Sequence, residues 1–463
     1  MIRSGCGSNS ISVDDAVEEG WAYRKPTNRN KARILGAISP RERAREWGAV
    51  STQEPLSRSA FRQVLMSAAK RSTAGLVISL SHDHYLTIAG GVQNCIGDEQ
   101  AVLGDAGWTY LHICPNRPLP LLADMADPER FEVVASLDGQ KLGVVLMSDI
   151  EAIGAELVQV GLQPRCVVHH MLGFAPELVE RLIRACNDRR PLVWLHDLFT
   201  LCPSVHLLRN DATFCAAPPV DSAVCNICNA GPDRASHVQR MKAFFTSTHP
   251  SVIAPSATLF DFWVLHGEYS YRDSTIIAPC EIVFDGNSKS FDPARPLRVA
   301  FLGSPIYHKG WDAFESLARW HSRDERYAFY HFGSIVPALP NLQHVPVTVA
   351  RENRSAMVEA VKAAEIDVVI NWSMCYESFS FTAIEAAAAG AFIVARRDAG
   401  NVWPLIRAIS PKRGCGVVSE AELLALFAGG QILDHMSDAD RRTGSLRFGS
   451  YTGQLLQNEV SNA

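Results

Sequence analysis

Apolar residues in this chain cluster in short runs separated by stretches of helical periodicity. The runs Gly75-Leu-Val-Ile-Ser-Leu80, Thr109-Tyr-Leu-His-Ile113, Cys166-Val-Val-His-His170, Leu192-Val-Trp-Leu195 and Ser251-Val-Ile-Ala254 read as buried strands. A second set starts at Leu297-Arg-Val-Ala-Phe-Leu302 and continues with Ile366-Asp-Val-Val-Ile370 and Ala391-Phe-Ile-Val-Ala395. Helical segments are predicted between them: through Ala106 after Ile88 to Gln93, from Ala175 to Asp188, from about 257, and over Thr382 to Gly390. A βαβ-like passage is expected up to about 160. Strands alternating with helices at this spacing predict an α/β protein with parallel sheets covered on both faces. The alternation breaks over 199–242, which is rich in proline and cysteine, and a loop that long inside a domain is usually functional or held by something else.

At 463 residues the chain exceeds what one core usually serves. The expected division is a basic extension over 1–71, an N-terminal α/β domain over 72–270 carrying the insertion at 199–242, a C-terminal α/β domain over 271–440, and a tail or helix over 441–463. A hydrophobic content of 47% with 20% charged residues is ordinary for a globular protein. The net charge of −5 gives no reason to expect nucleic acid as a partner. Residues 1–70 hold 12 Lys and Arg against 7 Asp and Glu, a surplus of five, so the rest carries −10. That extension can dock on an anionic membrane surface or remain a solvated tail. No stretch approaches the ~20 apolar residues of a membrane span, and the start lacks the apolar core of a secretion signal. The expected location is the cytoplasm, with peripheral contact at the inner membrane face if the extension docks, and with most of the 12 cysteines reduced.

The most informative stretch is Glu377-Ser-Phe-Ser-Phe-Thr-Ala-Ile-Glu385. Two carboxylates bracket the start of an alanine-rich helix that ends at Gly390, between two predicted strands. A helix start offers unpaired N–H groups and a partial positive charge, which suit a phosphate. At about 1.5 Å per residue, eight residues span roughly 12 Å if helical, the scale of a nucleotide sugar. The pair alone is also compatible with two incidental glutamates on a buried helix, so support must come from elsewhere.

Further candidates sit at other strand ends. Gly90-Gly91 opens a helix after the first strand, where glycine lets backbone approach a phosphate closely. Phe301-Leu-Gly303 ends a strand and His308-Lys309-Gly310 follows, where a lysine can neutralise a leaving diphosphate. His196-Asp197 and His169-His170 end neighbouring strands and can face a cleft. Each of these has an ordinary structural reading when taken singly. In the insertion, Cys202, Cys215, Cys225 and Cys228 could complete a tetrahedral Zn²⁺ site; the alternatives are four unligated thiols or a redox pair at Cys225 and Cys228.

Taken together, from about Leu76 to Ile406, these elements resemble glycosyltransferase family 4. Gly90-Gly-Val-Gln93, Leu195-His-Asp197, Gly303 with Lys309-Gly310, and Glu377 with Glu385 carry the likeness by order and spacing. The resemblance implies two Rossmann-like doubly wound domains in the GT-B arrangement, with a cleft between them. It implies His196, Lys309 and Glu377 as catalytic residues: His196 beside the donor sugar, Lys309 on the diphosphate, Glu377 on the transferred sugar. Glu385 would bind the ribose. Ser380, Phe381 and Thr382 would present backbone amides to the phosphates, and Gly90, Gly91, Gly303 and Asn401 would line the donor. His169, His170 and Asp197 would lie towards the acceptor. One departure stands out: members often carry an arginine directly after the strand-end glycine, where this chain has Ser304-Pro305, so Arg396 or Arg397 is a candidate second cation.

The resemblance further implies retention of configuration without a catalytic metal, a nucleotide-sugar donor, and a glycan or lipid-linked glycan acceptor, with a place in bacterial surface polysaccharide synthesis. The competing readings are a GT-B nucleotide-sugar epimerase and a non-catalytic glycosyltransferase-like subunit of a polysaccharide complex. A phosphorylase would need a pyridoxal-type lysine site, for which the sequence carries no signal.

Overall fold

The computed structural model describes residues 53–456 apart from Ala89, Pro118 and Ser450. Residues 1–52, with most of the basic extension, lie outside the described residues. The described chain opens on helix α1 (Arg58–Arg71), capped by the Ser57 hydroxyl, which accepts from the Ala60 amide. Phe61, Leu65, Ala68 and Ala69 of α1 are buried, so this last part of the expected extension is a packed helix.

The N-terminal domain contains β1 (Gly75–Leu80), α2 (Gly91–Asp105), β2 (Trp108–Pro115), β3 (Glu132–Leu137), β4 (Gln140–Leu146), α3 (Met147–Gln159), β5 (Arg165–Val168), α4 (Pro176–Ala185) and β6 (Leu192–Trp194). After a two-stranded hairpin, β7 (Leu208–Arg209) and β8 (Thr213–Phe214), come α5 (Gly231–Thr248), β9 (Ser251–Ala254), α6 (Ala257–Gly267) and β10 (Ser274–Ile276). The sheet order is β10-β9-β6-β5-β1-β2-β3-β4. Six strands are parallel, and β3 and β4 are added antiparallel at the edge. The expected βαβ-like passage is therefore corrected to a hairpin. Its two-residue loop, Asp138-Gly139, has φ of 46° and 80°, the geometry that the Asp-Gly pair favours. A second correction concerns the insertion, which becomes regular at Gly231 rather than after 242. Helix α5 buries Arg234 and His237 on its inner face, so the apolar stripe that would announce it is interrupted.

The C-terminal domain contains β11 (Cys280–Ser288), β12 (Leu297–Leu302), α7 (Trp311–Trp320), β13 (Tyr327–Gly333), β14 (Leu342–Pro346), α8 (Ala356–Ala363), β15 (Val368–Asn371), α9 (Phe381–Ala388), β16 (Phe392–Arg396), α10 (Val402–Ile409), β17 (Gly414–Val417), α11 (Glu420–Ala428) and β18 (Arg442–Phe448). Its sheet, β14-β13-β12-β15-β16-β17, is parallel throughout and has the doubly wound order 3-2-1-4-5-6. The segment 442–448, expected as tail or helix, is instead a strand pairing antiparallel with β11. The chain then returns to the N-terminal domain, where Tyr451 and Leu456 pack on Val77, Cys95 and Trp108.

Both sheets are clothed on two faces, as their continuous apolar strands require; β1, β2 and β16 are buried along almost their whole length. Doubly wound sheets bind ligands beyond the carboxyl ends of their strands, where the winding reverses. Here those points are β1/β5 and β12/β15, and the two rims face each other across a cleft. Ser256 Oγ donates to the Ser378 carbonyl at 2.7 Å, and Tyr376 stacks on Phe262 with centroids 4.4 Å apart, joining the domains at one end. Among the described residues, no helix is long and apolar enough to cross a membrane.

Candidate active site

On the C-terminal rim, three loops are pressed together by two glycines with positive φ. Gly310 (φ 87°) ends the single helical turn Tyr307–Lys309, and a Cβ there would lie 1.8 Å from the Trp372 carbonyl oxygen. The turn therefore lies directly on the chain leaving β15. The His308 carbonyl accepts from the Met374 amide (2.9 Å), with Ser373 Oγ 3.1 Å away. Gly400 (φ 64°) does the same from the other side: a Cβ would sit 2.5 Å from the Glu377 carbonyl oxygen. Residues 377 and 400 form a parallel bridge, and the Asn401 amide donates to the Glu377 carbonyl at 2.9 Å. Asn401 thus braces Glu377 through its backbone.

This packing brings the two predicted charges together. Lys309 Nζ donates to Glu377 Oε1 at 2.9 Å, and the Ser373 hydroxyl donates to the same oxygen at 2.7 Å. Burial opposes the Glu377 charge, but Lys309, Ser373 and His206 outweigh it and hold the carboxyl below its ordinary range. Burial likewise opposes the Lys309 charge, and Glu377 outweighs it, so the lysine is held above its ordinary value. The lysine side chain keeps 43% of its surface open, against 11% for Glu377.

Helix α9 starts between the two glutamates. Ser380 caps it, its hydroxyl accepting from the Ala383 amide and from Asn371 Nδ2 (3.0 Å), which also reaches the Thr382 hydroxyl at 3.2 Å. The first amides of a helix have no intrahelical acceptor, so those of Phe381 and Thr382 are available. Gly303 (φ 94°) lies beside this start, where a Cβ would be 3.6 Å from Thr382 Cγ2. Across the cleft Gly91 faces the Phe381 ring, which a Cβ would meet at 3.4 Å, while Gly90 caps α2. Glu385, one turn into α9, is 5% exposed, and its carboxyl makes no hydrogen bond or ion pair with a described residue. Burial pushes its carboxyl up to about 8, opposed by Arg354.

Arg354 was not anticipated. It bridges to Asp98 of the N-terminal domain at 3.2 Å, with its guanidinium over the Phe448 ring (4.3 Å), and no motif in its surroundings marked it. Of the two arginines proposed to replace the missing family cation, Arg396 approaches the Ser373–Met374 chain beside Glu377 and pairs with Asp398 at 2.6 Å. Arg397 donates to the Gly416 carbonyl instead.

The N-terminal rim holds histidines. His196 Nε2 lies 3.0 Å from His169 Nδ1, and His169 Nε2 lies 3.0 Å from Glu99 Oε1. His169 is only 1% exposed, so its expected place on the acceptor side is corrected: it stands behind His196 as an interior group. His170 Nδ1 accepts from the Leu172 amide, so Nε2 carries the proton and donates to Asp197 Oδ2 at 2.9 Å. Burial opposes the Asp197 charge, but His170 and the Phe199 amide bring its carboxyl down to about 2. Burial, helped by His170, pushes His82 down to about 3, leaving it neutral. His82, Asp83, His170, Asp197, His206 and Asp211 are among the residues lining a cavity of about 410 Å³ on this rim. His206 stacks on His308 of the opposite domain (4.3 Å), which links the cavity to Lys309.

The four insertion cysteines are neighbours: burial raises the Cys202 thiol, helped by Cys215 and Cys228, and raises the Cys215 thiol, helped by Cys228 and Cys225. Among the described residues, no group of three or more His, Cys, Asp or Glu is arranged to hold a metal ion. Cys202 and Cys225 are buried, Cys215 and Cys228 half-buried, and the Cys225 sulfur accepts from Arg234 Nη1 at 2.9 Å. Arg234 also donates to the Leu201 carbonyl, tying α5 to the loop below it.

Fold and rims together define an α/β protein of two facing doubly wound domains, with a polar cleft at both switch points. Solved structures of similar shape include sucrose-phosphate synthase from Thermosynechococcus elongatus (15% identity, 79% of this chain and 92% of that chain covered, TM-score 0.47). HepE of Anabaena, in complex with UDP-glucose, is 12% identical over 84% of this chain and 100% of its own, with a TM-score of 0.44. The apo lipopolysaccharide outer core galactosyltransferase WaaB is 9% identical over the same shares, with a TM-score of 0.48. No protein-family model matches the chain, and no curated protein sequence does.

Proposed function

We propose that the protein is a retaining glycosyltransferase, of the family 4 type that its motifs resemble, which moves a sugar from a nucleotide-sugar donor to a glycan or lipid-linked glycan. The observation that carries this reading is the arrangement around the start of α9. A lysine–glutamate pair stands before the helix, and a buried carboxyl without a protein partner stands one turn into it. Glu385 suits a ribose, whose hydroxyls would supply the hydrogen bonds the protein does not. Lys309 and the amides of Phe381 and Thr382 would hold the diphosphate, and Glu377 would accept from hydroxyls of the transferred sugar.

In the reaction, the bond from the sugar's anomeric carbon to the diphosphate oxygen breaks, and a bond to the acceptor oxygen forms on the same face. The acceptor's proton passes to the departing diphosphate. The protein contributes position and charge: Lys309 and the helix start meet the negative charge as it develops on the leaving oxygen. A role at a bacterial membrane, in surface polysaccharide synthesis, belongs to the same proposal and would engage the basic extension.

The test is release of free nucleoside diphosphate from a panel of nucleotide sugars without acceptor, against a Glu377→Ala control. Release from one donor, lost in the control, is the expected result. Conversion of a donor into its epimer without release would make the protein an epimerase. Failure of every donor both to turn over and to bind would sink the proposal.

A further inference from the structure

The hydrogen-bond chain behind His196 has a direction, and nothing in the transferase reading requires one. Glu99 is fully buried. Its Oε1 accepts from the Tyr110 hydroxyl (2.9 Å) and faces His169 Nε2 (3.0 Å), while Oε2 faces the Thr452 amide (3.4 Å). His169 and His196 lie nearly parallel, 5.3 Å apart at 16°, and the Trp194 indole stacks on both, at 6.1 Å and 5.0 Å. The second ring nitrogen of His196, Nδ1, makes no hydrogen bond with a described residue.

We propose that Glu99 is a positioning residue: through His169 it fixes the tautomer of His196, so that His196 presents Nδ1 to the cleft as a hydrogen-bond acceptor. A carboxylate only accepts, so the His169 nitrogen facing it carries the proton. A neutral His169 then has its lone pair on Nδ1, and the His196 nitrogen beside it must be the N–H. The His196 lone pair is left on Nδ1. With Glu99 already met by the Tyr110 hydroxyl and the Thr452 amide, a neutral His169 completes its hydrogen bonds without burying a second ion. Burial pushes His196 well below its ordinary value and leaves it neutral. Together these groups would make His196 Nδ1 select a substrate hydroxyl that donates. The functional part of this inference rests on the transferase reading, but the tautomer does not.

Long-range ¹H–¹⁵N correlation spectra of the full chain, labelled in histidine and assigned by single-site variants, read each imidazole directly and need neither donor nor turnover. The expected result is a proton on Nε2 of both His169 and His196. In Glu99→Gln the amide can donate to His169 Nε2, so both protons should move to Nδ1. Donor turnover should then fall by up to about tenfold, no more than the loss of His196 itself. Tyr110→Phe, which removes another donor from Glu99, should leave both tautomers in place. A wild-type His196 protonated on Nδ1, a doubly protonated His169, or unmoved tautomers in Glu99→Gln would each overturn the proposal. If Glu99→Gln does not fold, the wild-type spectrum alone decides. Failure of the transferase reading would leave these spectra unchanged.

Discussion

The two rims of the cleft use opposite electrostatics on related scaffolds. On the C-terminal rim, Lys309 and Glu377 are both charged and meet at 2.9 Å beside a helix start, with the loops around them locked by Gly310 and Gly400. On the N-terminal rim, His82 and His196 are held neutral beside an ionised Asp197, and hydrogen bonds run through rings whose protons are placed by their neighbours. Both rims sit at the switch point of a doubly wound sheet, so the difference comes from side chains rather than topology. Charge suits a diphosphate, whose own charge changes as it leaves; fixed neutral acceptors and donors suit hydroxyls, which must be oriented.

If that division is real, the rims should respond unequally to substitution. Lys309→Met removes the cation and strands a buried carboxylate, and turnover of the donor should fall by about 10²–10³, as when one preorganised donor to a developing anion is lost. His196→Phe keeps the stack on Trp194 and should cost much less, about tenfold. Steady-state kinetics of both variants with the donor that turns over give the comparison. Equal losses would erase the distinction between a charged rim and an orienting one.

Glu385 is the exception on the charged rim, since burial holds its carboxyl near 8. An unfolded glutamate titrates at about 4.3. Between these values the folded chain keeps a proton that the unfolded chain has released. The stability contributed by this proton is complete below the unfolded value and is lost as pH rises through the folded one, at about 1.4 kcal/mol per unit. Glu385→Gln should therefore gain on the wild type from pH 5 to pH 8, measured by urea midpoints at both. Parallel pH dependence in the two chains would mean the carboxyl is ionised in the folded protein and that the rim carries charge throughout.

The charged rim was also the more legible in sequence. Glu377, Ser380 and Glu385 are fixed in spacing by one βαβ unit and could be placed by counting along the chain, and Lys309 by its position just after the strand Leu297–Leu302. On the other rim Glu99 and His169 meet across 70 positions, from a helix and a strand end, and no local pattern marks such a pair. The passage around Asp138-Gly139 reads as βαβ because its apolar runs fit that pattern too, although the Asp-Gly pair favours a hairpin turn. Helix α5 was hidden by Arg234 and His237, polar residues that are buried because backbone carbonyls of the insertion accept from them. Strand β18 follows helices and pairs with β11, with Cys280 opposite Phe448 and Ser288 opposite Arg442, so its partner could not be read locally.

The smallest effect tests how the charged rim meets its ligand. Ser380 caps α9, and Ser380→Ala should lower stability by about 1 kcal/mol, the usual loss for a helix cap. Asn371 Nδ2 loses one of its two acceptors but keeps the Thr382 hydroxyl at 3.2 Å, so no buried amide is orphaned and the loss should not exceed that value. If the phosphates are met by the backbone amides, the donor's KM should hardly move, because the hydroxyl already points back to the Ala383 amide. On the opposite rim α2 is capped by Gly90, with no side-chain bond, and a Cβ there would lie 2.3 Å from Gln93 Oε1. Gly90→Ser therefore offers the matched experiment. It supplies the missing cap but displaces Gln93 from Asp83, which it holds at 3.1 Å, and so should disturb the orienting rim while leaving the charged one intact. A large rise in KM from Ser380→Ala, with stability unchanged, would instead make its hydroxyl a direct ligand of the donor.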